Sequence, residues 1–331
     1  TSKKGKVLVI GGSGFMGSHT ADELTKQGYE VSLFDIQPSK WKSEEQKMFI
    51  GNFMSLDDLK KAMENVSYVY HFGAIADIGE AKENPVKTLE SNIMGIINIL
   101  EAVKESKIKR FMFASTVYVS SSHGSFSRVS KQAAESIIES YHEEYGLNYT
   151  LLRYGSLYGP RSQSWNGIRG FVKQVLKKNK IEYAGNGEEI REYIHVSDAA
   201  KLGVDLLDNK YSNSAVIITG HQTIRAKDLF SIIFEISGKE DNIKFLKNDV
   251  RAYHYGNTPY RYSPKSAKKI VPSEFVDLGQ GLLNIIEEVQ QELQRLQNEN
   301  KRIKAENEQR EKNRTSLLKK HARESKKRER E

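Results

Sequence analysis

The stretch that most constrains this chain is Lys6-Val7-Leu8-Val9-Ile10-Gly11-Gly12-Ser13-Gly14-Phe15-Met16-Gly17. Four β-prone apolar residues run straight into a glycine-rich turn, and Ser18 to Gln27 reads as a helix. Gly11 permits the tight turn, Gly14 lets backbone N–H groups approach a pyrophosphate, and Gly17 lets helix and strand pack closely. The phosphates would sit at the positive end of the helix dipole. Glu30–Phe34 reads as a second strand, followed at once by Asp35, eighteen residues past Gly17. A carboxylate there accepts hydrogen bonds from a ribose hydroxyl and repels a 2′-phosphate, so the expected dinucleotide is NAD rather than NADP.

Strands and helices alternate beyond this unit. Met48–Ile50, Ser67–Phe72, Arg110–Ser115 and Tyr149–Tyr154 read as strands. Leu56–Glu64, Pro85–Glu105 and Lys131–Tyr145 read as helices. That rhythm predicts an α/β fold with a Rossmann-type, doubly wound parallel sheet covered on both faces, with ligands at the carboxyl ends of its strands. The turn Gly11–Gly17, Asp35, Gly51-Asn52, Gly73-Ala74 and Ser115-Thr116 all fall at such ends, so one crevice should collect them.

Over about residues 5–285 the sequence resembles the extended short-chain dehydrogenases that act on nucleotide sugars: epimerases, dehydratases and dehydrogenases. The glycine turn matches the family's dinucleotide turn, which assigns Gly11, Gly14, Phe15, Met16 and Gly17 to the cofactor together with Asp35. Gly51-Asn52 stands where the family usually has Gly-Asp near the adenine; an amide oxygen can accept a hydrogen bond there, and Asn52 and Phe53 are assigned with it. His71-Phe72-Gly73-Ala74 resembles the segment lining the cofactor (Phe72, Gly73, Ala74), and Glu90-Ser91-Asn92 with Gly95 the helix after it. Arg153-Tyr154-Gly155-Ser156-Leu157-Tyr158-Gly159-Pro160 and Arg191-Glu192-Tyr193-Ile194-His195-Val196-Ser197-Asp198 resemble two later motifs of the substrate half.

The resemblance also implies a catalytic device: a Tyr four residues before a Lys, with a Ser or Thr from an earlier strand end. The Lys and the nicotinamide charge lower the phenol pKa, so that a phenolate takes a hydroxyl proton as hydride leaves. The Lys also bonds the nicotinamide ribose. Here the Lys is Lys131, but the Tyr slot holds Ser127. A serine hydroxyl is far less acidic and reaches less far than a phenol, so it needs a relay to act as a base. Thr116 fits the Ser/Thr role, with Ser115 as the alternative. Ser127 is compatible with a natural loss of activity, an engineered substitution, or a site where another base works. Tyr118 and His123 are the substitutes within reach of the sequence; each also reads as an ordinary packed or solvated residue.

In the substrate half, Arg191 is the first candidate for a diphosphate, because a guanidinium matches it bidentately. Arg161 is a weaker candidate, as are Arg169 and Lys173. Ser156 is assigned to the substrate, and Tyr255 belongs to an aromatic-rich run with Tyr253, Tyr260 and Tyr262 that could stack on a base or sugar. His195 and Asp198 read equally well as packing and helix-capping residues. Gln222 to Leu229 resembles a further strand-and-helix unit.

Composition sets outer bounds. Among 331 residues there is no cysteine, which removes disulfides, thiolate metal sites and a Cys nucleophile; no metal is expected. No signal-peptide pattern and no apolar run of the ~20 residues a membrane span needs is present, so a cytoplasmic protein is expected. The formal charge is +8, but residues 297–331 hold thirteen Lys/Arg against seven Asp/Glu, leaving a net of only +2 on the rest. The globular part is therefore not read as a nucleic-acid binder. After Gly281 the apolar residues Ile286, Val289, Leu293, Leu296 and Ile303, with Asn300, follow a heptad seam. This predicts about three heptads of coiled coil, with Asn300 fixing register, then a fraying basic helix or disorder.

The expected organisation is an NAD-binding domain over 1–155, a smaller α/β substrate domain mainly over 156–280, and a coiled-coil helix with a basic tail over 281–331. The expected activity is NAD-dependent hydride transfer from a carbon of a nucleotide-diphosphate sugar by a homodimer, with Ser127 impairing the proton-transfer step. The competing expectation is a catalytically silent nucleotide-binding scaffold that assembles through its coiled coil.

Overall fold

A computed structural model of the chain describes residues 4–75, 77–121, 123–246 and 268–328. Packing divides the chain into two units, Thr1–Ile285 and Ile286–Glu331. In chain order the first unit opens with β1 (Lys6–Ile10), α1 (Phe15–Lys26), β2 (Glu30–Asp35), β3 (Lys47–Ile50), α2 (Leu56–Ala62) and β4 (Tyr68–His71). It continues through α3 (Ile78–Glu83), α4 (Pro85–Leu89), a π turn (Glu90–Met94), α5 (Gly95–Ser106), β5 (Arg110–Thr116), a 3₁₀ turn (Val117–Ser120), α6 (Ser125–Tyr145) and β6 (Tyr149–Tyr154). The later elements are β7 (Ser156–Tyr158), α7 (Gly167–Lys178), β8 (Ile181–Ala184), β9 (Ile190–His195), α8 (Val196–Asp205), β10 (Ser214–Ile218), β11 (Thr223–Arg225), α9 (Ala226–Ile236), β12 (Ile243–Leu246) and β13 (Lys268–Ile270). A last helix, α10, spans Leu278–Arg328.

Eight strands form the main sheet in the order β13-β10-β6-β5-β4-β1-β2-β3, and each of these neighbours is paired parallel. This is the Rossmann-type sheet that the alternation predicts, and the strand order reverses between β1 and β4, where such sheets bind ligands. The reason β1 is apolar at every position is visible in its side chains. Val7 and Val9 join a core with Leu24 of α1 and Val196 of α8, while Leu8 and Ile10 join another with Ile96, Ile99 and Leu100 of α5. Successive residues point to opposite faces, and both faces are covered by helices. Two small sheets accompany it, β11-β9-β7 and β12-β8, and the segments β10 and β13 from the later half of the chain return to the main sheet.

Two helices differ from the sequence reading. The helix expected over Pro85–Glu105 is interrupted by the π turn. There Asn92 leaves its own helix to hold the loop after β4: its amide donates to Ile75 O and Ser130 Oγ and accepts from Ile75 N. α6 starts at Ser125, six residues before Lys131, so Ser127 and Lys131 lie on one continuous helix. α10 remains helical as far as Arg328, while the expected seam positions Leu296 and Ile303 are exposed. Among the described residues, no helix is long and apolar enough to cross a membrane.

Candidate active site

The carboxyl ends of β1, β2, β4, β5 and β6 open into one cavity of about 1340 Å³ within the first unit. At its floor Gly11 has φ +80°, and a Cβ there would lie 2.6 Å from Gly73 N. A Cβ on Gly17 would lie 2.1 Å from Gly11 O. Backbone atoms cannot yield to such contacts, so both positions require glycine. α1 begins after Gly14 with no side chain capping it, and Gly11, Gly14, Phe15, Met16 and Gly17 line the cavity. Uncapped helix N–H groups beside a bare backbone turn are what a pyrophosphate needs. Gly17→Ala is expected to destabilise the fold by about 1–3 kcal/mol and to weaken dinucleotide binding at least tenfold. Urea unfolding and a binding titration read the two effects separately.

Asp35 lines the same end. Its carboxylate accepts from Ser13 N (3.0 Å) and Ile36 N (2.8 Å). Each oxygen keeps a second lone pair, so the orientation is fixed while capacity for ribose hydroxyls remains. Asn52 lines the cavity too. Its amide oxygen accepts from Met54 N at 2.9 Å, so it helps build its own turn. The Phe53 ring sits against Gly73 and Gly95 and edge-on to His71; Phe72, Gly73 and Ala74 complete this wall. These features fit NAD: a phosphate cradle, a ribose acceptor and an apolar wall.

The same cavity is lined by Thr116, Ser127 and Lys131. Thr116 Oγ1 accepts from Tyr118 N at 3.2 Å, which pins the residue at the end of β5. Ser127 and Lys131 are one helical turn apart on α6 and both are buried. Lys131 Nζ donates to Ala114 O at 2.5 Å and lies 4.6 Å from the centre of the Phe113 ring. Burial lowers its pKa to about 8, against a smaller opposing pull from Glu135. His71 behind it is pushed down to about 3, first by burial and then by Lys131, and so is neutral.

Ser115, the alternative to Thr116, also lines the cavity, but its hydroxyl donates to Glu135 Oε1. Glu135 in turn takes two bonds from Arg153, at 3.0 and 2.7 Å, in a buried ion pair. This network of α6, β5 and β6 is absent from the sequence reading, although Glu135 follows Lys131 by one turn. Tyr118 lines the cavity, with its ring against Gly124 at the start of α6. His123 is bonded through its N–H to Ser121 Oγ and is not among the lining residues.

From the later half of the chain, Ser156, Arg191 and Tyr193 line the cavity. Tyr183, bonded to both Arg191 and Glu189, lines it as well, with Trp165 and Phe171. These aromatics carried no local sequence signal, since an isolated Tyr or Trp reads as core. Arg161 is not brought into this lining. Its guanidinium pairs with Asp22 at 2.8 Å and lies over the Trp41 ring. Arg169 is buried on α7 and, with Lys173, is outside the lining. His195 accepts from Ser197 N at the start of α8, and Asp198 accepts from Val276 N. His195 is thereby the cap of α8, whereas Asp198, within the first turn of that helix, is tied to a residue 78 positions further on rather than capping it. Tyr255 and its aromatic neighbours lie outside the described residues. Among the described residues no group of three or more His, Asp or Glu could hold a metal.

The sheet order, the glycine turn after β1 and the acidic residue at the end of β2 are those of a dinucleotide-binding protein of the short-chain dehydrogenase type. Residues 7–218 match the model of the NAD dependent epimerase/dehydratase family, and the chain belongs to that family, with NAD as its cofactor. A curated relative from Methanocaldococcus jannaschii, a putative UDP-glucose 4-epimerase, is 32% identical over 250 residues, covering 69% of this chain and 81% of the relative. A UDP-glucuronate 4-epimerase from Thermodesulfobacterium geofontis is 27% identical over 278 residues, 75% of this chain and 86% of the relative. Among solved structures, UDP-glucose 4-epimerase from Thermotoga maritima with UDP-glucose superposes with a TM-score of 0.71 at 26% identity, covering 87% of this chain and 99% of that one.

Proposed function

We propose that this chain is an NAD-dependent oxidoreductase or epimerase of a nucleotide-diphosphate sugar. The observation that carries the reading is the cavity itself, which joins the glycine cradle and Asp35 to Thr116, Ser127 and Lys131, and those to Arg191. When bound, NAD supplies a hydride acceptor. Lys131 holds the nicotinamide ribose, Thr116 orients the sugar hydroxyl, and Arg191 takes the diphosphate through a bidentate contact. Ser156 and Tyr193 border the sugar. A uridine diphosphate sugar is the first substrate to try, since the relatives named above are UDP-sugar epimerases.

The experiment is spectroscopic. The protein is loaded with NAD and challenged with UDP- and GDP-sugars in turn, while the reduced-nicotinamide band is followed. A band that grows with one sugar is the expected result. Ser127 favours a second reading, a silent nucleotide-binding scaffold. Bound NAD that never changes, although the sugar nucleotide binds, would support it.

Association of two copies is part of the same proposal. Val86 and Met94, with Phe126 and Val129 of α6, expose apolar side chains on the helices around the site. On the second unit, exposed Leu296 and Ile303 share a heptad register with Asn300, the pattern of a two-stranded coiled coil. Leu296→Glu with Ile303→Glu is therefore expected to raise the dimer dissociation constant at least tenfold in sedimentation equilibrium. An unchanged constant would remove the coil from the assembly.

A further inference from the structure

We propose that Ser127 and Lys131 act together as a serine–lysine proton relay, in which Ser127 Oγ takes the proton of the substrate hydroxyl while passing its own to Lys131 Nζ. The inference rests on the function proposed above and names the group that accepts the proton in a site without the usual tyrosine.

Geometry carries it. Residues four apart on a helix face the same way, with Cβ atoms about 5–6 Å apart, and Ser127 and Lys131 are such a pair on α6. Both are buried, and both line the same cavity as Thr116, the residue proposed above to orient the hydroxyl. A neutral lysine amine has two N–H donors and one lone pair. One donor is placed on Ala114 O, the other is available to a ribose hydroxyl, and the lone pair is left for a proton.

The surroundings make the neutral amine accessible. Lys131 packs on Phe113 of β5 and faces His71 of β4, which is neutral. The anion that pulls on it is Glu135, on the same helix. That carboxylate is already matched by Arg153 of β6 and by the Ser115 hydroxyl. Burial therefore prevails, and the amine titrates at about 8 rather than in the usual lysine range. Tyr118 and Arg128 border the cavity at the start of α6, with Arg128 bonded to Gln132.

The step balances. The C–H electron pair leaves the sugar carbon as hydride for NAD, and the carbon–oxygen bond becomes a carbonyl. The hydroxyl proton moves to Ser127 as the serine proton moves to Lys131, which ends as an ammonium. Return of hydride reverses each transfer, and a return to the opposite face of the carbonyl gives the epimer.

Two measurements test it. In protein carrying ¹³Cε-lysine, one signal should titrate near pH 8 and be missing from Lys131→Met; this readout needs no turnover. A Lys131 signal that titrates near 10.4 with ordinary lysines overturns the relay. In the NAD-reduction assay, Ser127→Ala should lose about 10²-fold or more with NAD affinity within about twofold of the parent. Ser127→Thr should restore most of the rate, and the rate should rise with pH along the NMR titration curve. A Ser127→Ala rate equal to the parent's overturns the relay. A parent that reduces no NAD while Ser127→Tyr does also overturns it, yet leaves the proposed chemistry of the fold standing. Silence from both variants removes the proposed function and the relay with it.

Discussion

Ser127→Tyr is expected to raise the rate of NAD reduction by a bound nucleotide sugar about 10- to 100-fold. A well-placed general base is worth about 10²–10⁴ in rate, and the parent already holds part of that through the relay, so the gain is the difference. The slot can receive the ring. Ser127 is on the first turns of α6 and lines the cavity, so the longer side chain extends into open volume rather than into the core. The phenol would stand one turn from Lys131, whose ammonium form lowers its pKa toward neutrality. Two further consequences distinguish this from a packing effect. The rising limb of the pH–rate curve should move away from the lysine titration, and NAD affinity should stay within about twofold of the parent. Rapid-mixing absorbance across pH measures both. A variant that folds and binds NAD but reacts no faster would mean that Ser127 is not where a base acts.

Glu135→Gln is expected to destabilise the protein by about 3–5 kcal/mol, because it leaves the Arg153 guanidinium buried without its counter-charge. The pair is almost sealed, with side-chain exposures of 7% for Arg153 and 6% for Glu135, so water cannot replace the lost partner. At about 2 °C per kcal/mol for a unit of this size, the melting temperature should fall by roughly 6–10 °C in a thermal scan. Glu135→Leu with Arg153→Met should recover much of the loss, since a buried pair is often no better than apolar side chains of similar volume. The single variant also has a pH signature. Glu135 pulls the Lys131 pKa upward, so its removal lets that pKa fall further and shifts the rising limb of activity to lower pH. A melting temperature within a degree of the parent would show that the pair contributes little to holding β5, β6 and α6 together.

Much of the fold and of the NAD end of the site was legible along the chain. An unbroken apolar strand, a turn that sterics restrict to glycine and an acidic residue at the next strand end are local features. They depend on backbone geometry within a few residues. The departure at Ser127 was legible only through the family resemblance, which expects a Tyr four residues before Lys131; that the two residues share one helix came from the structure. Other features needed the tertiary structure. Arg161 reads as a phosphate ligand, but Asp22, 139 positions away, holds its guanidinium. Ser115 and Thr116 compete for one role until Glu135 takes the Ser115 hydroxyl. The helix Pro85–Glu105 looks continuous until Asn92 reaches Ile75 and Ser130 across the π turn.

Sequence alone thus determined where the backbone must turn and which strands are buried on both faces, and its resemblance to a known family marked the position that lacks the phenol. Tertiary structure alone decided where each long or polar side chain finds its partner. The physical reason is range: glycine sterics and strand alternation act between neighbours, whereas the pairing of a buried charge is chosen by whichever distant group the fold carries to it.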